Sequence, residues 1–236
     1  MFVQLQTQDY QRLGGIDLDF WRWFNPTSVW REGAQYPFEL TMPLEQHLAP
    51  GAYRLVAGLT ITGGKLVAAG GGYGVESGGV TIGWVKVPQE SVPTPTEQAQ
   101  SLDATLNELF ALRYVEAEQT GDDEVTITLY WESLETRPDI DATIFVHLDD
   151  GNGNIVGQSD IRPHSGQYPT FIWDAGEVVQ TTHTIPLNGA DIETLHVWVG
   201  MYTQPDFTRL QVIQNGVANA DNRVDAGKLS HLLEAP

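Results

Sequence analysis

The sequence contains no cysteine, which excludes a disulfide framework, a thiolate metal site and a thiol nucleophile. Positive charge is scarce. Twelve Lys and Arg stand against 31 Asp and Glu, a net charge of −19 that no cluster of basic residues interrupts. Such a chain repels a nucleic-acid backbone and an anionic membrane surface, so neither is expected as a partner. No window approaches the roughly 18 consecutive apolar residues of a membrane span. The N-terminal MFVQLQTQDY has neither a basic segment nor an apolar run. The segment is therefore expected to be soluble as it stands, without inserting into a membrane itself. Helical patterning is nearly missing too, and a single short helix is expected, within TEQAQSLDATLNEL, Thr96 to Leu109.

Strand patterning is present almost everywhere. EVTITLYW, Glu124 to Trp131, alternates Val125, Ile127, Leu129 and Trp131 with Thr126, Thr128 and Tyr130, the period of a half-buried strand. ATIFVHL (Ala142 to Leu148), YRLVAGL (Tyr53 to Leu59), TLHVWVGMY (Thr194 to Tyr202) and VTIGWVKV (Val80 to Val87) read the same way. Turn-rich pieces such as DDGNGN, QTGDDE and TQPDF separate them. The fold class expected is all-β, built as antiparallel sandwiches. PQESVPTPTEQAQ, Pro88 to Gln100, has three prolines and few apolar groups and reads as a linker. It divides an N-terminal repeat (1–88) from a C-terminal one (101–236), with residues 89–100 between them.

The two parts repeat each other. A shift of 143 positions lays FVQL at Phe2 on FVHL at Phe145 and NPTSVWREG at Asn25 on YPTFIWDAG at Tyr168. Gly14, Asp17 and Leu44 then fall on Gly157, Asp160 and Leu187. One-residue adjustments bring Gly58 onto Gly200, Val80 onto Val224 and Gly83 onto Gly227. FALRYVEA and EVTITLYW precede FVHL in the second copy and have no counterpart before Phe2, so the first sandwich is expected to lack its first two strands. That reading favours a chain truncated ahead of Met1; the alternatives are strand positions left empty or filled by another chain.

The succession LYWESL, FVHLDDGNGNIVGQSD, YPTFIWDAGEVVQTTHTIPL and VWVGMYT resembles the tandem Ig-like β-sandwich modules of large membrane proteins in Chloroflexota-type bacteria. In the first copy, PTSVWREG and APGAYRLVAGL follow the same pattern. Many of those proteins resemble multi-spanning, mannosyltransferase-like glycosyltransferases, with the modules appended after the membrane part. The resemblance implies an extracytoplasmic or cell-surface location, tethering through upstream membrane spans, and contact with the membrane-embedded part of the same protein. It carries over no transferase residue, because the membrane part is absent.

Within PTxxWxxG the proline fixes the backbone on entry to a strand, the tryptophan supplies apolar area and the glycine permits a tight turn. Trp30 and Trp173 are thus expected as core or core-edge anchors, a ligand contact being the alternative. Asp17 and Asp160 are expected to cap backbone amides. FWRWF is different. Phe20, Trp21, Arg22, Trp23 and Phe24 align with Pro163, His164, Ser165, Gly166 and Gln167, so the second copy folds without these rings. They are read as a patch packed against missing upstream strands, the other domain or a partner subunit, as a sugar-stacking platform for a glycan, or, least of all in acidic surroundings, as a contact with membrane headgroups. Asp149, Asp150, Asn152 and Asn154 are weak calcium candidates that read first as a hairpin turn, and ANADNRVD (Ala218 to Asp225) is weaker still. His147 and His196 read as sheet histidines. No motif selects a carboxylate pair, a serine nucleophile or a phosphate loop, and GGKLVAAGGGYG (Gly63 to Gly74) has no helix after it. The sequence thus points to a non-catalytic structural or interaction module without a cofactor; its alternative is a carbohydrate-binding module using Phe20 to Phe24.

Overall fold

Alternation of apolar and polar residues makes strands of nearly every patterned segment, and neighbouring strands pair antiparallel. The computed structural model describes residues 1–17, 29–37, 39–44, 47–61, 64–66 and 79–234. Phe20 to Phe24 lie outside the described residues, as do Gly63 and residues 67–74 of the glycine-rich stretch. The chain divides into two compact units, Met1–Pro88 and Gln89–Pro236. Among the described residues no helix is long and apolar enough to cross a membrane.

In the first unit, β1 (Phe2–Gln6) lies between β2 (Arg12–Asp17) and β3 (Gly51–Ile61), and β3 also pairs with β4 (Gly64–Leu66) and β5 (Val80–Val87). Leu5, Leu13 and Leu48 form a small core, with Met42, Tyr53, Leu55 and Val87 packed partly against it.

The second unit has two sheets. One runs in the order β10 (Ile155–Ile161), β9 (Ala142–Asp149), β12 (His196–Thr203), β15 (Val224–Lys228). The other runs β11 (Val178–Pro186), β8 (Glu124–Ser133), β7 (Phe110–Gly121), β6 (Gln100–Leu106), β13 (Val212–Gln214), β14 (Val217–Asn219). Val125, Ile127, Leu129 and Trp131 of β8 are wholly buried, as are Ile144, Val146 and Leu148 of β9 and Val197 and Val199 of β12. A polar thread joins the two sheets through this core. Trp131 Nε1 donates to Thr181 Oγ1 (3.2 Å), which also meets His183 Nε2 (3.3 Å), while His183 Nδ1 meets Ser159 Oγ on the other sheet (3.2 Å).

The helix expected within Thr96 to Leu109 is not there. Gln100–Leu106 is strand β6, paired with β7 and β13. Good helix formers are overridden because Ala104 and Leu106 alternate with exposed Asp103, and cross-strand burial outweighs a propensity of tenths of a kcal/mol per residue. The one α-helix among the described residues is α1 (Leu229–Leu233), which buries Leu229 and Leu232. The segment read as a linker is tied to the second unit: Gln89 Nε2 donates to the Val178 carbonyl (3.1 Å) and Thr96 N to Glu116 Oε1 (2.7 Å).

One frame occurs twice. Phe2 pairs with Asp17 and Gly58, and Phe145 pairs with Asp160 and Gly200. A bulge falls at Leu55/Val56 against β5 and at Val197/Trp198 against β15. Gly14 and Gly157 both lack room for a Cβ, which would sit 2.9 Å from the Pro43 carbonyl oxygen and 2.3 Å from that of Pro186. Gly33 and Gly176, closing the two PTxxWxxG motifs, have φ of +75° and +78°. Pro169 enters a short 3₁₀ turn over Thr170–Ile172 rather than the expected strand, because Trp173 must fold back to bring its ring inside. Trp173 is fully buried there, donates to the Tyr168 carbonyl (3.0 Å) and meets Phe110 edge to face at 5.5 Å. Trp30 is half-buried and stacks on Tyr36 at 4.9 Å.

Candidate functional site

The four-stranded sheet of the second unit turns Val146, Leu148, Val197 and Val199 inward, so strand alternation sends their neighbours to the other face. That outer face carries Phe145 and His147 from β9, Gln158 and Asp160 from β10, His196, Trp198 and Tyr202 from β12, and Asp225 from β15. Opposite Phe145 stands Gly200, where a Cβ would lie 2.3 Å from the ring, so the phenyl group lies over the glycine.

Two guanidinium groups cover this face. Arg209 Cζ sits 4.8 Å from the centre of the Phe145 ring, and Arg223 Cζ sits 4.0 Å from that of Trp198. Asp221 tethers both, accepting from Arg209 Nη1 through its carbonyl (3.0 Å) and from Arg223 Nη2 through its carboxylate (3.4 Å). The buried Arg223 Nε has no hydrogen-bond partner. This cover explains why ATIFVHL, which alternates like a half-buried strand, is buried on both faces.

His147 Nε2 lies 3.5 Å from Asp160 Oδ1, and the Tyr202 hydroxyl donates to Asp160 Oδ2 (3.3 Å). The expectation that Asp160 caps backbone amides is corrected by these contacts, because the carboxylate points along the sheet face toward side-chain donors. Asp17, its counterpart, is exposed at the end of β2. Burial pushes the His147 pKa down, Asp160 opposes that, and Arg209 and Arg223 reinforce it. Burial thus favours the neutral, hydrogen-bonding form of His147. His196 Nε2 meets Asp225 Oδ1 in a second pair. Both histidines are sheet residues held by carboxylates.

Beside Asp225 a groove of about 510 Å³ opens between β15 and the edge of the other sheet. It is lined by Asp103, Trp198, Gln214, Asn215, Asn219 and Asp225, among others. Gln214 closes one wall, its amide donating to the Asp225 carbonyl (2.8 Å) and accepting from the Asp225 amide (2.9 Å), as a neighbouring strand would. Amides and carboxylates line a groove of this size, with Trp198 at its wall beneath the Arg223 guanidinium, and such polar walls suit a small hydroxylated ligand.

The face of the first unit's sheet has different chemistry. Gln4 stands where His147 does, Arg54 where His196 does and Val56 where Trp198 does. Arg54 is buried, stacked over Tyr10 (4.3 Å) and near Trp84 (5.7 Å), with its Nε lacking a hydrogen-bond partner.

At DDGNGN, Asp149 Oδ1 accepts from the Gly151 amide (2.8 Å). Asp150 Oδ1 accepts from the Asn152 and Asn154 amides (2.8 and 3.1 Å), and Asp150 Oδ2 from Asn154 Nδ2 (2.9 Å). These bonds, led by the one from Asn154 Nδ2, hold the Asp150 carboxyl below its usual range. Asp149 Oδ1 and both Asp150 carboxylate oxygens thus shape the β9–β10 turn, and among the described residues no group of three or more His, Cys, Asp or Glu could hold a metal ion. In ANADNRVD, Asn219 Oδ1 accepts from the Asp221 amide (2.9 Å), again a turn. The sequence did not select the Trp198, Arg223 and Asp225 group, which comes from two strands and a loop. Its only local signal is the scarcity of cations, two of which flank one short hairpin. No protein-family model matches the chain, and no curated protein or solved structure matches it significantly.

Proposed function

We propose that this chain is a non-catalytic structural and interaction module, two repeats of an Ig-like β-sandwich plan borne outside the cytoplasm by a larger, membrane-associated, glycosyltransferase-like protein. One observation supports it most. The two copies keep the same register, bulge and close-approach glycines, while the groups able to do chemistry differ: His147 against Gln4, His196 against Arg54, Asp225 against Thr81. A duplicated frame that preserves packing and lets reactive side chains drift serves as a spacer or docking body. The placement outside the cytoplasm and the membrane-bound parent rest on the sequence resemblance. Full-length parent protein with and without this segment, assayed in membranes for transferase activity and for assembly, tests the reading. Loss of assembly or acceptor positioning with intrinsic activity retained agrees with it. Loss of a hydrolytic activity that the segment shows by itself refutes it.

Carbohydrate binding is a second reading, favoured by the groove beside Trp198 with its amide and carboxylate walls. The Phe20 to Phe24 stretch is a separate candidate for the same ligand. Glycan-array binding by wild type, Trp198→Ala and a Trp21→Ala, Trp23→Ala double variant decides it. No binding by wild type ends this reading, and binding lost in only one variant locates the site.

A further inference from the structure

Equivalent apolar positions in the two units differ sharply in exposure. Leu187 is 2 % exposed and Leu44 is 49 %; Ile172 is 2 % and Val29 is 59 %; Ala226 is 1 % and Ile82 is 58 %; Leu229 is 0 % and Val85 is 38 %. In the second unit the sheet containing β7 and β8 supplies the cover. Phe110 at the start of β7 meets Trp173 edge to face, and the Leu187 amide donates to the Asp123 carbonyl beside the β7–β8 turn (2.9 Å).

A second observation concerns main-chain pairing. Val178–Pro186 is strand β11 because β8 pairs with it along its whole length. Its counterpart in the first unit is residues 35–43, of which the described residues 35–37 and 39–43 form no strand. The first unit therefore presents an apolar face and, at its margin, a segment whose twin is a paired strand. A lipid surface or a lone helix would satisfy the apolar face and leave main-chain groups unpaired; an added strand satisfies both.

We propose that the first unit is a strand acceptor, completed by a β-strand pair of β7–β8 chemistry from another polypeptide segment. The pair would carry apolar residues at alternating positions, as Val125, Ile127, Leu129 and Trp131 do, and a Phe to meet Trp30. This chain's own β7 and β8 are engaged in the second unit, so a second copy has no free pair to lend. Pro37 has no N–H where Gln180 has one, so the new ladder would run mainly along residues 39–43.

The test is hydrogen–deuterium exchange of the full chain with a synthetic peptide of residues 110–133. Equimolar peptide should slow exchange at least tenfold in Phe2–Gln6 and in residues 39–44, and should quench binding of an apolar fluorescent dye. A peptide with Val125, Ile127 and Leu129 replaced by Ser should do neither. Leu44→Asp should abolish the protection and leave the free chain's melting unchanged, whereas Leu187→Asp should unfold the second unit. Three results would each overturn the proposal: no protection by the wild-type peptide, a loss of stability from Leu44→Asp equal to that from Leu187→Asp, or a dimer in sedimentation whose exchange already protects residues 39–44.

Discussion

Single residues show how closely this fold is fitted. Gly157 has no space for a Cβ, because β10 passes against the Pro186 carbonyl and Ile185. Gly157→Ala should therefore cost about 1–3 kcal/mol, read as a lower urea midpoint with an unchanged slope. His183 is fully buried between the sheets, and desolvation lowers its pKa to about 4. As pH falls, the unfolded chain takes up this proton near its ordinary value of about 6.5, before the folded chain does. The contribution is complete above about pH 6.5 and lost as pH falls toward 4, an effect on the order of 3 kcal/mol. His147 and His164, also lowered chiefly by burial, act in the same direction. Unfolding midpoints at pH 7 and pH 5 should differ clearly in wild type and less in His183→Gln; equal differences would show that His183 does not carry the effect.

At the scale of elements, the edge of β15 is closed by a side chain. Gln214→Leu removes both bonds to the Asp225 backbone and leaves its N–H and C=O for water to satisfy. The expected cost is about 1–3 kcal/mol, with faster amide exchange at Asp225 as the direct readout. The strands themselves were legible in the sequence because alternation is a local property: Val125 to Trp131 and Val197 to Val199 bury the residues that the period selects. The segment around β6 departs from its local pattern for the same reason. Its residues are good helix formers, and only pairing with β7 and β13 makes them a strand. The period-2 spacing of Leu102, Ala104 and Leu106 was the available signal.

For the whole molecule, the two units bury very different cores. Among the described residues the first gathers Leu5, Leu13 and Leu48, with Phe2, Ala52 and Val56 also buried, while the second encloses Trp131, Trp173, Tyr168, Phe110 and many aliphatic residues. Since burial sets stability, calorimetry of the full chain should resolve two transitions with the first unit melting lower. Trp173→Ala should lower only the upper transition, by about 3–5 kcal/mol. A single cooperative transition would show that the two units fold as one.

The all-β class, the duplication and the positions of its shared glycines and tryptophans can be read from the residues alone, because each depends on neighbouring residues or on identity between copies. Which faces are covered follows from the assembled sheets and loops instead. Arg209 and Arg223 reach Phe145 and Trp198 from a loop and a strand end, and Gln214 reaches Asp225 across a sheet boundary. Leu44 and Leu187 occupy the same place in one motif and differ in exposure because burial belongs to what packs against a residue, which its own sequence does not encode.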